Sequence, residues 1–474
     1  MIYSDKINIS QQQPKKGNHA IVIGGSIAGL LAGRVLTNHF QQVTIVERDR
    51  FPEHPQFRPG VAQSHHVHVL LSKGQQILEQ LFPGLVKNLE TAGSLKIDWA
   101  AEFPWYNLFG WQPRFRSDIK SCLCSRHLLE WSIRRQLTAD YSVQFLEGTQ
   151  VKNLLSNVNN SRVTGVRIKS NSHEQDLTAD LVVDASGRNS SLPKWLTALG
   201  YQAPEETVIN SFLGYSSRWY KCPEGFQTDW KVLAVATKPP NDQRAGIIYS
   251  VENNCWVTTL YGINKDYPPT DEVGFLEFAR SLRNPIVYEF IKDAQPISPV
   301  YSYRRTENRL SHYDKLSRLP DGIVAIGDAV CCFNPVYGQG MTVAALGAIT
   351  LDGCLQSNPS LKGLNKYFQK QLAQVNSIPW LMATSEDLRW PGTEGAKPDW
   401  MTRLIQQYLD QVLRLSVEHP EVYQKYIVVM QLTQPPKILF QPDIMAKILG
   451  QIIKNNQQFE QTVLGQNIPE LHSN

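Results

Sequence analysis

Apolar residues recur along this chain with two different periods, and the changes from one period to the other outline its elements. Residues 20–23 are a short continuous apolar run, GGSIAG follows at 24–29, and Ile27, Leu30, Leu31 and Val35 then recur at helical spacing. The next strand, residues 43–46, ends at Glu47. Strand, glycine turn, helix and strand in this order predict a βαβ unit whose strands are buried on both faces. A second stretch, residues 323–346 (IVAIGDAVCCFNPVYGQGMTVAAL), has the same build. Its apolar run at 323–326 follows the turn pair Asp321-Gly322, Gly327-Asp328 puts a carboxylate at the strand end, and an Ala- and Gly-rich helix begins near Met341.

Between these two stretches the pattern alternates. Residues 142–151, 162–169 and 177–184 read as strands, and LVVDASGRNS at 181–190 places Asp184 at a further strand end. From 207 to 263 four β-rich runs are separated by Pro, Asn and Asp, which predicts an antiparallel meander. Its aromatics Phe212, Tyr215, Trp219, Tyr249, Trp256 and Tyr261 are expected either to line an apolar pocket or to fill the core. Helices are predicted over 73–89, after Ser125 with Arg126 in the first turn, and after a Thr270 cap, while 301–310 returns as a strand. Beyond Leu355 the chain reads as helical, and a stripe in 442–455 (Ile444, Met445, Ile448, Leu449, Ile452, Ile453) is expected to pack on its own domain, with membrane-surface contact the minority reading. Residues 1–18 are polar and are read as a disordered lead-in.

The totals narrow the class. A chain of 474 residues with 42% hydrophobic and 19% charged residues is globular, and a net charge of +4 without a run of basic residues gives no reason to invoke nucleic acid. No apolar h-region opens the chain and no stretch reaches the ~18 apolar residues of a spanning helix. Seven cysteines without a disulfide pattern fit a reduced, cytoplasmic setting. The expected organisation is a tail (1–18), a dinucleotide-binding domain in two parts (19–200 and 301–388), an inserted antiparallel domain (201–300) and a C-terminal helical region (389–474).

The candidate chemistry is cofactor binding. Glu47 follows Gly24 by 23 residues, near the ~20 at which an acid holds a ribose hydroxyl. The fingerprint departs once, with Ser26 where GxGxxG has glycine. In the second stretch Pro335, Gly338 and Gly340 let backbone approach a flat or anionic group, and the helix after them would offer its free N–H groups. Arg126 is unfavourable at a helix N-terminus by roughly 0.3–1 kcal/mol, a cost that a phosphate partner would offset. His65, His66 and His68 lack a carboxylate or cysteine at ligand spacing and have Arg58 close by, so no metal site is assigned. At this point FAD and NAD are not distinguished.

With GGSIAG and Glu47, DASGR at 184–188 and GDAVCCFNPVYGQGMT at 327–342, the chain resembles the single-component flavoprotein monooxygenases of the para-hydroxybenzoate hydroxylase fold over about residues 19–388. The nearest likeness is to the flavin epoxidases of polyether biosynthesis, through RPGVAQSHHVHVLL, CSRHLLEW, LVVDASGRNS, FNPVYGQGMT and ATSEDLRWPG; squalene epoxidase is more distant. The resemblance implies an α/β fold: a Rossmann-like FAD-binding domain, an inserted antiparallel β-sheet substrate domain and a C-terminal helical region. It implies that Gly24, Gly25, Ser26 and Gly29 cradle the FAD pyrophosphate, Glu47 binds the adenosine ribose, Arg48 lies beside adenine and Arg126 meets the phosphate or ribityl side. Gly327 and Asp328 would take a ribityl or phosphate-side hydroxyl, and Pro335, Gly338, Gly340 and Met341 would lie along the isoalloxazine.

The implied reaction is oxygen transfer from a flavin C4a-hydroperoxide to a small apolar polyene, terpenoid or aromatic substrate, which needs positioning and water exclusion more than acid or base. Tyr337 and His68 are the candidates to orient or protonate the peroxide. NADPH or NADH is the expected electron donor, but Ser186-Gly187 stands where hydroxylases of this group carry Asp-Gly, so a separate flavin reductase is the alternative route. The rival readings are an FAD-dependent halogenase, whose WxWxIP signature is missing, a polyprenyl reductase or lycopene-cyclase-like enzyme that does not use oxygen, and a flavin-binding protein without turnover.

Overall fold

The computed structural model describes residues 15–451 apart from 172, 224, 226 and 359. At its centre is a five-stranded parallel sheet in the order Ile323–Ala325, Leu181–Asp184, Gly17–Ile23, Phe40–Val46, Val143–Leu146. The register sets Ile23 beside both Val46 and Asp184, and Asp184 beside Ala325, so Gly24, Glu47 and Gly327 leave the sheet at one edge. The two stretches with matching patterns thus share one sheet. Their strands are continuous apolar runs because both faces are covered: Ile21, Val22, Ile45, Val182 and Ala325 are all inaccessible or nearly so. Helix Ile27–Leu36 lies beside helix Gly340–Ser357, and Leu30, Leu31, Val35, Leu346 and Leu351 join the same core. Full burial of each such side chain contributes about 1.5–3 kcal/mol.

The predicted meander is present and larger than expected. Strands Gly214–Lys221, Cys255–Gly262, Arg244–Val251 and Val232–Val235 are antiparallel neighbours, and Gln295–Pro296, Tyr301–Tyr303 and the distant Trp105–Tyr106 complete a seven-stranded sheet. Helices Leu364–Asp387, Trp400–Glu418 and Pro420–Met430 follow, as predicted for the end of the chain.

Several boundaries differ from the sequence reading, each for a local reason. The first strand begins at Gly17, two residues inside the expected lead-in, because the N–H groups of Asn18 and His19 both reach Asp180 Oδ2; residues 1–14 lie outside the described part. The single strand expected over 142–151 is two, Val143–Leu146 and Thr149–Ser156, in different sheets, divided at Gly148 with φ +61°. The helix expected over 73–89 is broken into Ser72–Leu81 and Leu85–Thr91 by Pro83 and Gly84. Asp271, not Thr270, caps its helix by accepting the Gly274 N–H at 2.8 Å. Residues 301–310 form two short strands, Tyr301–Tyr303 and Asn308–Ser311, again in separate sheets. In the terminal stripe Ile444 and Ile448 are buried against the C-terminal helices, Met445 and Leu449 are exposed, and Ile452 and Ile453 lie outside the described residues.

Candidate active site

One cavity of about 700 Å³ starts at the C-terminal edge of the parallel sheet, where open α/β sheets bind ligands. It continues between the antiparallel sheet and the C-terminal helices. Gly24, Ser26, Glu47, Arg48 and Arg126 line its first part, Asp328, Pro335, Gly338, Gly340 and Met341 its middle, and Trp99, Phe103, Trp105, Tyr423 and Tyr426 its far arm. The structure therefore brings the two predicted halves of the site together around a single space.

At the first end the glycines answer to geometry. Gly24 has φ +99°, and a Cβ there would sit 2.6 Å from the Ala185 carbonyl oxygen; a Cβ on Gly29 would lie 1.8 Å from the Gly24 carbonyl oxygen. Gly25, Gly29 and Gly327 shape the turn from behind and do not line the cavity themselves. Glu47 is buried and accepts the N–H groups of Gly25 at 2.7 Å and Asp49 at 3.0 Å, while Arg48 is exposed at the rim.

Ser26, where the fingerprint has glycine, has its own work: its hydroxyl donates to Glu130 at 3.0 Å and receives Arg126 Nη2 at 2.8 Å. Arg126 also pairs with Glu130 one turn along, at 2.7 Å, which offsets its unfavourable place at the helix N-terminus. Its Nη1 is buried and has no hydrogen-bond partner among the described residues. Leaving such a donor unpaired costs about 1–3 kcal/mol, and an anionic or hydroxyl oxygen in the cavity would remove that cost.

Arg58, whose charge argues against a metal at the neighbouring imidazoles, is itself a site residue. Its guanidinium joins Glu130 at 2.7 Å, Asp49 at 2.8 Å and Glu47 at 3.4 Å, tying the 51–71 loop to the fingerprint. Burial works to lower its pKa, but these carboxylates outweigh that and raise it. Glu130 is likewise held ionised: burial opposes its charge, and Arg126 and Arg58 overcome that opposition.

In the middle, the Asp328 carboxylate accepts no hydrogen bond from the described residues and is accessible where it lines the cavity. Enclosure raises its pKa against the pull of Arg188 and Arg126, leaving an acceptor ready for a ligand hydroxyl. Gly327, at φ +63°, has room for Ala28 only because it lacks a Cβ, which would approach Ala28 Cβ to 2.7 Å. Pro335–Tyr337 forms a single 3₁₀ turn, Gly338 follows at φ +64°, and helix Gly340–Ser357 starts without a side-chain cap. A Cβ on Gly340 would meet nothing within 4 Å, so this helix N-terminus is open toward the cavity.

Asp387 fixes that loop from behind, a role no sequence pattern revealed although the residue lies in ATSEDLRWPG. It accepts Asn308 Nδ2 at 2.7 Å, Asn334 Nδ2 at 3.0 Å and the Tyr337 hydroxyl at 2.8 Å. Burial pushes its pKa up to about 6, the hydrogen bonds restraining the rise. Tyr337 therefore spends its proton on Asp387, and burial with that carboxylate raises its own pKa far above the ordinary tyrosine range.

The other candidate, His68, lines the cavity and makes an Nδ1 contact with the His66 carbonyl at 3.0 Å. A carbonyl can only accept, so Nδ1 carries the proton and Nε2 is an acceptor in the neutral ring. Burial and Arg126 lower its pKa to about 4, so the ring is neutral at pH 7. The neighbouring imidazoles diverge: His65 stacks between Phe57 and Tyr301, at 4.0 and 3.9 Å, and His66 Nδ1 meets Ser217 Oγ at 2.8 Å. Asp184 turns away from the cavity, taking the Ser186 N–H at 3.0 Å and the hydroxyls of Ser186 and Ser190.

Of the six meander aromatics only Tyr215 and Tyr261 line the cavity. Tyr249 and Trp256 are buried core, Trp219 donates to the His65 carbonyl at 2.9 Å, and Phe212 lies under Lys265. The aromatic side chains of the far arm come instead from outside the four meander strands. Trp99 and Phe103 come from the segment that leads into strand Trp105–Tyr106, Trp105 from that strand, Tyr423, Tyr426, Ile427 and Met430 from helix Pro420–Met430, and Trp105 stacks on Tyr426 with centroids 5.8 Å apart.

A family model described as "FAD binding domain" matches residues 18–357, most of the chain. The chain belongs to this FAD-binding family. It is an FAD-dependent oxidoreductase, and the residues around the cavity fit that cofactor by the tests above. Among curated proteins it is 34% identical over 397 residues to Protein Rv3254 of Mycobacterium tuberculosis, covering 81% of this chain and 83% of that one. Solved structures share the fold at low identity. The flavin-dependent brominase Bmp2 aligns with TM-score 0.65 at 14% identity, over 93% of this chain and all of that one. PqsL, a probable FAD-dependent monooxygenase from Pseudomonas aeruginosa, aligns with TM-score 0.60 at 14% identity, over 78% and 96%. Among the described residues of this flavoprotein no helix is long and apolar enough to cross a membrane.

Proposed function

We propose that this flavoprotein is a monooxygenase that places one oxygen atom of dioxygen into an apolar alkene or aromatic molecule, epoxidation being the finer reading. The observation that supports it most is continuity: the polar half of the cavity and the aromatic arm meet at the 334–341 loop without an intervening wall. Reduced FAD, when bound, supplies an electrophilic oxygen derived from dioxygen.

The chain's own residues then bind, orient and exclude water. Arg126 Nη1 offers a donor to the phosphate or ribityl side, Asp328 offers an acceptor to a ribityl hydroxyl, and Glu47 with Arg48 takes the adenosine end. The N–H groups that open helix Gly340–Ser357 would stabilise negative charge on the reduced ring when FAD is bound. Asp387 keeps the loop carrying them in place through Asn334 and Tyr337. His68, neutral with Nε2 as acceptor, orients a hydrogen-bond donor and does not supply a proton at neutral pH. The aromatic arm keeps water from the reacting end and holds a polyene, terpenoid or ring by apolar contact.

NADPH or NADH is the source of electrons, directly or through a separate reductase. The seven cysteines are all free and buried, as suits a reducing cytoplasm. The test is oxygen uptake by the FAD-loaded, chemically reduced protein across a panel of apolar alkenes and arenes, with and without bromide or chloride. Uptake coupled to an oxygenated product without halide is expected. Strict dependence on halide would move the reading to halogenation, and uptake unaffected by every compound would remove turnover from it.

A further inference from the structure

Glu386 is out of place for an apolar pocket. It lies at the end of helix Leu364–Asp387 and lines the cavity, as Tyr426 of the aromatic arm does. The other acids lining the cavity, Glu47 and Asp328, belong to its cofactor half, so Glu386 is the only carboxylate of the arm among the described residues. Its Oε2 pairs with Arg389 Nε at 2.9 Å. Arg389 is shared, since its Nη1 is 2.8 Å from Asp410 and its Nη2 donates to the Gln406 carbonyl at 3.3 Å. One guanidinium thus serves two carboxylates, and Glu386 Oε1 receives no hydrogen bond from the described residues, while 41% of the side chain is accessible and the residue lines the cavity. A purely structural link between these helices would need Asp410 alone.

Its place along the cavity follows from its neighbours. The next residue, Asp387, takes the hydroxyl of Tyr337, in the loop assigned to the flavin, at 2.8 Å, and Glu386 lines the same cavity as Tyr337 and as Tyr426 of the aromatic arm. It stands where the two halves meet.

We propose that Glu386 anchors the substrate by accepting a hydrogen bond from an O–H or N–H group, so that the substrate is an apolar body carrying one donor head, an alcohol, phenol or amine, held at the junction while the body extends along the aromatic arm. This rests on the reading of the arm as the substrate site. An enclosed carboxylate with an open lone pair rewards a donor and rejects an isostere without one, because the isostere leaves the oxygen desolvated and unpaired.

The experiment titrates the FAD-loaded protein with matched pairs, 2-naphthol against 2-methoxynaphthalene and farnesol against farnesyl methyl ether, with geranylamine added, following the flavin visible spectrum. The alcohols are expected to bind about tenfold more tightly than their ethers, and Glu386→Met to erase that preference while FAD content stays unchanged. Glu386→Gln, which keeps the shape and a weaker acceptor, is expected to retain about threefold and serves if the Met variant does not fold. Preference for the amine alone narrows the donor to an ammonium group. Ethers binding as tightly as alcohols, or a preference that survives Glu386→Met, overturn the anchor and leave the substrate arm standing. If no probe perturbs the flavin, the arm itself is misassigned, and the anchor goes with it.

Discussion

At the scale of single residues, the account rests on polar atoms left without partners. Asp328 and Arg126 Nη1 face one cavity with unused acceptor and donor capacity. Asp328→Ala is therefore expected to cut FAD affinity at least about tenfold, read by flavin retained on gel filtration; full retention would contradict its role. Asp387 gives a prediction of a different kind. Its folded pKa of about 6 stands above the ordinary aspartate value of about 3.9, so its contribution to stability is complete below pH 4 and is lost as pH rises through 6. Wild type should lose up to about 3 kcal/mol relative to Asp387→Asn between pH 4 and 7, measured by denaturant unfolding; a pH-independent difference would refute the shift.

Residue-scale legibility was uneven. Glu47 and Asp328 were readable because each ends an apolar run. Arg58 and Asp387 were not, since their importance lies in partners 72 and 79 residues away, Glu130 and Asn308, that no local pattern announces.

At the scale of elements, the glycine turns decide whether strand and helix can approach. Gly29→Ala would drive a Cβ into the Gly24 carbonyl at 1.8 Å, so helix Ile27–Leu36 must move away from its strand. The variant should lose FAD binding and at least about 1–3 kcal/mol of stability, which thermal unfolding with and without FAD will show; wild-type behaviour would mean that the turn is looser than described. Helices and buried strands with long periodic patterns were legible, because burial imposes the pattern directly. What the pattern hid were breaks and recruits. Gly148 divides what reads as one strand, and Trp105–Tyr106 joins a sheet whose other members lie more than a hundred residues on.

At the scale of the whole molecule, the cavity joins segments from both ends of the chain, so cofactor and fold should stabilise each other. Free FAD at about 100 times its Kd is expected to add roughly 2.7 kcal/mol to the folded state, seen as a rise in Tm of a few degrees. Its absence would mean that the cavity does not close around the cofactor. The aromatic arm was the least legible part: the meander aromatics could be read as pocket or core and only Tyr215 and Tyr261 of them line the cavity, whereas Trp99, Phe103, Tyr423 and Tyr426 reach it from two other regions that only the tertiary fold brings together. The continuity of that arm with the flavin side is the central claim. Its most direct measurement is mass spectrometry of apolar lysate lipids and polyenes after incubation with FAD-loaded protein, reductant and isotopically labelled dioxygen. The account predicts a product heavier by one labelled oxygen atom. Products carrying no label, with oxygen released only as hydrogen peroxide, would contradict it.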